Sequence, residues 1–341
     1  MLALALASCL PGCAREDAGR PAGAAATVAS ILAVGDTGEV FGPLPGLFEG
    51  QLAVAAAMRR EHERDPVDAL VLLGDNFYPN GLEAHELEAR VVENVVRPYC
   101  VFVDPAPAMA AVVDRFCSGG RRPAPRLFAI IGNHDVESPG SVARQREAVP
   151  RLVRNWDMPT TDAPAVRELP GGLSLVLLHT EWPWDEAATD ALAGALRRAR
   201  GPWRVILGHR PPIGGHPALR RMIARASRRA GHVVHAYLAG HVHGLVAIRE
   251  DEIDAGRPAL VAIAGSGSHA DLQEEPEYRI DEADVLEESI GFARVDVIEA
   301  PAPRLRLTLW RARPSAALAM LGATPIARYA IAPDGSVERT D

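Results

Sequence analysis

Ala69-Leu70-Val71-Leu72-Leu73-Gly74-Asp75-Asn76-Phe77-Tyr78 passes from an unbroken apolar run through a glycine to a carboxylate. The run is short and does not alternate, so it reads as a strand buried on both faces. The same arrangement recurs along the chain. Ser30–Val34 leads into Gly35-Asp36, Leu127–Ile131 into Gly132-Asn133-His134-Asp135, and Arg204–Leu207 into Gly208-His209. Val233–Ala239 leads into Gly240-His241-Val242-His243. A glycine before the polar residue lets the backbone turn sharply or approach closely. Side chains at strand ends on one edge of a sheet converge on one crevice. These endings mix carboxylate, amide and imidazole, so Asp36, Asp75, Asn133, His209, His241 and His243 read as a metal-ligating set without soft thiolates. Buried without partners, such groups would be costly.

Working outward, the strands alternate with helices. Leu47–Arg64, Glu83–Val96 and Ala187–Arg200 read as helices, and Leu173–Leu178 as a further strand ending at His179. Beyond Gly240-His241 the helices stop: Leu245–Ile248, Leu260–Ala264, Ala293–Val297 and Leu305–Leu309 read as strands. The alternation predicts an α/β fold with buried sheets flanked by helices. No long linker and no repeat divides the chain, so one domain is expected over 27–341, with a Pro- and Gly-rich loop insertion over 98–125.

The first residues read differently. Met1–Leu10 is apolar, with small residues before Cys9 and a second cysteine at Cys13. This resembles the end of a secretory signal of bacterial lipoprotein type, with Cys9 the better-fitting lipidation site. Residues 14–26 then read as a flexible tether. An extracytoplasmic, bacterial location is the resulting expectation, with a lipid anchor to a membrane. Cys100 and Cys117 form a disulfide or remain two buried thiols, and an oxidising compartment favours the bridge. The 341 residues carry a net charge of −8, which excludes a large nucleic-acid footprint. All 36 basic residues are arginine. No run of about 20 apolar residues is present to span a membrane.

In order along the chain, Asp36-Thr37-Gly38, Gly74-Asp75-Asn76-Phe77-Tyr78, Gly132-Asn133-His134-Asp135, Gly208-His209 and Gly240-His241-Val242-His243 resemble the motif series of the calcineurin-like metallophosphoesterases. Most of that superfamily has Asp-x-His as its first motif. Here the third position is Gly38, and Tyr78 stands in the second motif, a combination similar to the purple acid phosphatases. The resemblance implies a four-layer α/β/β/α sandwich with two central mixed sheets. It implies that Asp36, Tyr78 and His243 hold Fe(III) and that Asp75 bridges to a divalent ion, Fe, Zn or Mn. Asn133, His209 and His241 would hold that second ion. His134 would donate a proton to the leaving alkoxide, and Asp135 would orient His134 through a hydrogen bond. The activity implied is hydrolysis of small phosphate monoesters by a metal-bound hydroxide, as an acid phosphatase. Ferric iron, a hard cation, suits carboxylate and phenolate ligands and acidifies water strongly, so an acid optimum is expected.

Other residues have plainer readings. His216, in Pro211-Pro212-Ile213-Gly214-Gly215-His216, is a candidate substrate-facing histidine set against an ordinary loop histidine. His179 reads as a rim or core histidine, and His62 and His85 as solvated. His232, His235 and His269 are open, and Trp182 and Trp184 read as packing before pocket walls. A phosphodiesterase or nucleotidase on the same scaffold is the alternative activity. A binding protein that has lost turnover is the alternative class, against which the complete ligand set argues.

Overall fold

Strand β1 (Ala26–Val34) is an apolar run, buried from Ala29 onward, and opens a sheet that the chain builds in two visits. The computed structural model describes residues 26–38, 49–117, 123–159, 163–181, 183–249, 256–272, 283–319 and 321–341. The leader-like segment with Cys9 and Cys13, and Trp182, lie outside the described residues. After β1 come β2 (Ala69–Leu72), β3 (Arg126–Ala129) and β4 (Trp156–Asp157). Then β5 (Ala165–Leu169), β6 (Leu173–Leu177), β7 (Trp203–Leu207), β8 (Ala236–Ala239), β9 (Leu245–Arg249), β10 (Leu260–Ala264) and β11 (Val285–Glu287) make a second sheet. The chain returns to the first with β12 (Gly291–Ala300), β13 (Arg304–Arg311), β14 (Thr324–Ile331) and β15 (Val337–Arg339).

The first sheet has the order β15-β14-β13-β12-β1-β2-β3-β4, the second β11-β9-β10-β8-β7-β6-β5. Both are mixed: β1, β2 and β3 run parallel, as do β6, β7, β8 and β10, while β12 pairs antiparallel with β1. The inner faces meet in one core that includes Ile31, Val71, Leu175, Leu207, Leu238, Val295 and Leu307. Helices cover both outer faces. On the first lie α1 (Gly50–Arg64), α2 (Leu87–Val91), α3 (Arg97–Tyr99), α4 (Ala110–Phe116) and α5 (Ser141–Glu147). On the second lie α6 (Glu186–Arg198) and α7 (Pro217–Ala230), and a short α8 (Ala316–Ala319) packs on α1. The order is α/β/β/α, the expected four layers.

Several elements depart from the reading of the sequence. The segment expected as a helix over Glu83–Val96 is a 3-10 turn (Ala84–Glu86), then α2, then a π-helical stretch (Val92–Val96). The stretch 98–125 is more than a loop: α4 lies in it, and Cys100 is disulfide-bonded to Cys117. Helix α7 was not expected. Its Leu219, Met222, Ile223 and Ala226 follow i, i+3, i+4, i+7 spacing and are buried, Pro217 opens it, and Gly231 closes it at φ 68°. His62 is buried, not solvated: Nδ1 accepts from the Val67 N–H at 3.2 Å, and the ring packs on Phe102.

Candidate metal centre

The candidate ligands leave the C-terminal ends of parallel strands in both sheets. Asp36 follows β1, Asp75 follows β2 and Asn133 follows β3; His209 follows β7, and His241 and His243 follow β8. Asp36, Asp75 and His241 are the non-glycine residues with positive φ among the described residues, at 57°, 53° and 71°. Such backbone is costly for these side chains and persists where the surroundings fix it. Here the fixing contacts join the two sheets. The His241 N–H donates to Asp36 Oδ2 at 2.8 Å, and His209 Nδ1–H donates to the Leu73 carbonyl at 2.8 Å. The glycines matter by closeness: a Cβ at Gly132 would lie 2.1 Å from Asp75 Oδ1, and one at Gly240 2.6 Å from Asp36 Oδ2.

Within this frame the donor atoms gather. Ligand atoms of Asp36, Asp75 and His209 all lie within 4.8 Å of one another, and all three residues are buried. His209 Nε2 is 3.3 Å from Asp75 Oδ2 and 3.0 Å from Asn133 Oδ1. His243 Nε2 is 3.4 Å from Asp36 Oδ1. The Tyr78 hydroxyl sits among them, 3.1 Å from Asp36 Oδ1, 3.1 Å from Asp75 Oδ2 and 3.4 Å from His243 Nε2. Burial, and then the two carboxylates, push the Tyr78 phenol well above 10, so in this arrangement it is the donor. Burial opposes charge at both Asp75 and His209, but their mutual attraction outweighs it, lowering Asp75 and raising His209.

Gly38 has no space for the histidine of the commoner motif: its Cβ would lie 2.6 Å from the Asn76 carbonyl oxygen. Two buried carboxylates sharing one phenol, with imidazoles around them, form an oxygen- and nitrogen-rich nest that a hard or borderline cation would complete. The residues therefore fit the implied metals.

The expected Asp135–His134 hydrogen bond is not made. His134 Nδ1–H donates to the Pro79 carbonyl at 2.5 Å, and its ring lies 4.3 Å from that of Tyr78. Asp135 is fully buried and accepts from the Gly132 N–H, from Asn76 and from Gln145. Consecutive residues on the 3-10 turn His134–Val136 leave it roughly a third of a turn apart, so Asp135 holds the turn while the His134 ring is held by Pro79. Burial, and then the Asp75 charge, push Asp135 up to about 7.

His216 lies at the rim beside His241, ring centroids 6.4 Å apart, with Trp184 edge-on at 4.9 Å. His179, at the end of β6, is pushed down to about 4 by burial and by His209. His269 packs against His243 at 4.2 Å. His235 is bonded away from the centre, to the Arg204 N–H and the Pro333 carbonyl. One residue at the centre has no part in the sequence reading. Arg210 follows His209, and its Nη1 is 3.0 Å from His241 Nε2.

A family model described as calcineurin-like phosphoesterase matches residues 29–245. Among solved structures, GAP50, described as the anchor in the inner membrane complex of Plasmodium, superposes with a TM-score of 0.60 at 14% identity. That match covers 84% of this chain and 85% of that one. PhoD gives 0.55 at 12% identity, covering 94% of this chain and 72% of that one. Purple acid phosphatase PPD1 from yellow lupin seeds gives 0.50 at 14% identity, covering 84% of this chain and 52% of that one. At these identities the likeness is one of fold. A comparison with curated proteins finds no match.

Proposed function

The chain belongs to the calcineurin-like phosphoesterases, and on that basis we propose that it hydrolyses phosphate monoesters at a two-metal centre of the purple acid phosphatase kind. The observation that carries this reading is Tyr78, whose hydroxyl stands between the Asp36 and Asp75 carboxylates while Gly38 leaves no side chain beside them.

Asp36, Tyr78 and His243 would hold a ferric ion, Asp75 would bridge, and Asn133, His209 and His241 would hold a divalent ion, iron, zinc or manganese. When bound, the ions supply Lewis acidity toward phosphoryl oxygens and lower the pKa of water. The Nδ1–H of His134 is held by the Pro79 carbonyl, so its Nε2 is the nitrogen left to carry a proton to the leaving alkoxide. Asp135 holds the Gly132 backbone and the Asn76 and Gln145 side chains, which keeps the turn bearing Asn133 and His134 in place. The contacts across the sheets fix both halves of the ligand set before substrate arrives. An acid optimum follows from the ferric reading. The Cys100–Cys117 bridge and the leader-like first residues support a location outside the cytoplasm.

The test is hydrolysis of an aryl phosphate monoester beside the matching diester, from acid to alkaline pH, with iron plus zinc or manganese supplied. Monoester turnover that peaks below neutral is the expected result. Preference for the diester, or an alkaline optimum, would keep the family and reject the acid phosphatase reading.

A further inference from the structure

Arg210 is built into the wall of the candidate centre. It follows the strand-end His209, and its backbone is fixed at both polar atoms. The N–H donates to Thr180 Oγ1 at 3.0 Å, and the carbonyl accepts from the Tyr237 hydroxyl at 2.8 Å. Gly208 permits this, since a Cβ there would lie 2.0 Å from that hydroxyl. The side chain is 21% exposed and is held at Nε by both oxygens of Glu181, each at 2.9 Å, with Glu181 itself 11% exposed. That grip at one end sets the plane of the guanidinium. The other end, Nη1, reaches 3.0 Å from His241 Nε2 and 3.4 Å from His216 Nε2.

A carboxylate on the far edge of a guanidinium, with the near edge among imidazoles of a candidate metal centre, is more than a surface ion pair needs. The 3.0 Å contact with His241 Nε2 carries the guanidinium past what neutralising Glu181 requires and up to the candidate centre. The planar fork matches the oxygens of a phosphoryl group, and a fixed fork loses little freedom on binding.

We propose that Arg210 binds the non-bridging oxygens of the substrate phosphoryl group, with Glu181 as its positioning residue, and that this pair selects dianionic monoesters over monoanionic diesters. The inference rests on the proposed phosphatase reading and deepens it. A diester has one oxygen fewer to offer the fork and half the charge, so it depends on Arg210 less. His216, beside the same Nη1 and braced by Trp184, closes the other side of the phosphoryl pocket.

The experiment compares wild type, Arg210→Gln, Arg210→Lys and Glu181→Gln, each loaded with metal and checked for metal content and thermal midpoint. Readouts are kcat and KM for the aryl monoester and its diester, and the dissociation constant for inorganic phosphate. Arg210→Gln is expected to lower kcat/KM for the monoester by about 100-fold and for the diester by less than about 10-fold. Phosphate binding weakens in parallel, and Glu181→Gln shows the same pattern in smaller measure, mainly in KM. Equal losses on both esters, or none, with phosphate affinity unchanged, would overturn the inference and leave Arg210 as a counter-ion of Glu181. If Arg210→Gln loses metal or fold, Arg210→Lys decides, because it keeps the charge and removes the fork: a monoester-to-diester ratio equal to wild type overturns the inference, and a lowered ratio supports it. If wild type hydrolyses neither ester, the functional reading fails, and phosphate affinity still separates Arg210→Gln from wild type or overturns the inference by failing to.

Discussion

Replacing Tyr78 by Phe removes one hydroxyl and keeps the ring that packs on His134. In the metal-free protein that hydroxyl donates its one proton to a pair of buried carboxylates, each 3.1 Å away. A hydrogen bond to a charged acceptor contributes about 1.5–3 kcal/mol, and the proton is shared, so the expected loss is about 2 kcal/mol. At about 2.1 cal/mol/K per residue, the 341 residues give an unfolding entropy of about 0.7 kcal/mol/K, so the thermal midpoint should fall by about 3 °C. The second readout is optical. Protein loaded with Fe(III) should show a visible phenolate-to-iron charge-transfer band, and Tyr78→Phe should lose it while remaining folded. Adding Gly38→His should not restore an iron ligand, because its Cβ would lie 2.6 Å from the Asn76 carbonyl oxygen and 2.7 Å from the Phe77 nitrogen. If Tyr78→Phe keeps both the band and the midpoint, Tyr78 only packs, and the purple-type ligand set is wrong.

Three further outcomes are expected. His134→Ala should lower kcat by about 10²–10⁴-fold with little change in unfolding free energy, since the side chain is 30% exposed; turnover unaffected by the change would remove His134 from the chemistry. Breaking Cys100–Cys117, which closes 17 positions, should lower stability by about 3 kcal/mol, read as a shift of the urea midpoint with and without reductant. Burial pushes His235 down to about 4. Its neutral form is therefore favoured in the folded state, and the stability this provides is present above about pH 6.5 and lost as pH falls toward 4, amounting to about 3 kcal/mol. His235→Gln should flatten the acid side of the stability curve by about that amount, and an unchanged slope would contradict the assignment.

The convergence of the candidate ligands was legible because, Tyr78 aside, they sit where an apolar run must stop and turn, and a glycine marks the turn. What the sequence could not show is which way side chains leave that turn. His134 and Asp135 are adjacent in sequence yet diverge, and the acceptor for His134 is a carbonyl in another loop, at Pro79. Arg210 looked like any basic residue. Its role becomes visible through Glu181, 29 positions away, and through the Thr180 and Tyr237 anchors. Helix α7 was within reach, since Leu219, Met222, Ile223 and Ala226 carry a clear period among its arginines. The late strands split by exposure. In β14, Ala327, Tyr329 and Ile331 alternate inward, whereas β11 and β15 have three residues each and owe their form to their neighbours.

Asp36, Asp75 and Asn133 hang from one sheet, and His209, His241 and His243 from the other. The candidate centre is therefore a caliper whose jaws are the sheets and whose setting is the thickness of the core between them. Small residues such as Ala33, Ala262 and Ala264 help set that thickness, and close-packed interiors pass volume changes on as displacement. Enlarging one of them replaces no candidate ligand, and by this reasoning it should open the jaws and move each trio as a unit. Metal affinity in such variants becomes a ruler for the distance between two sheets.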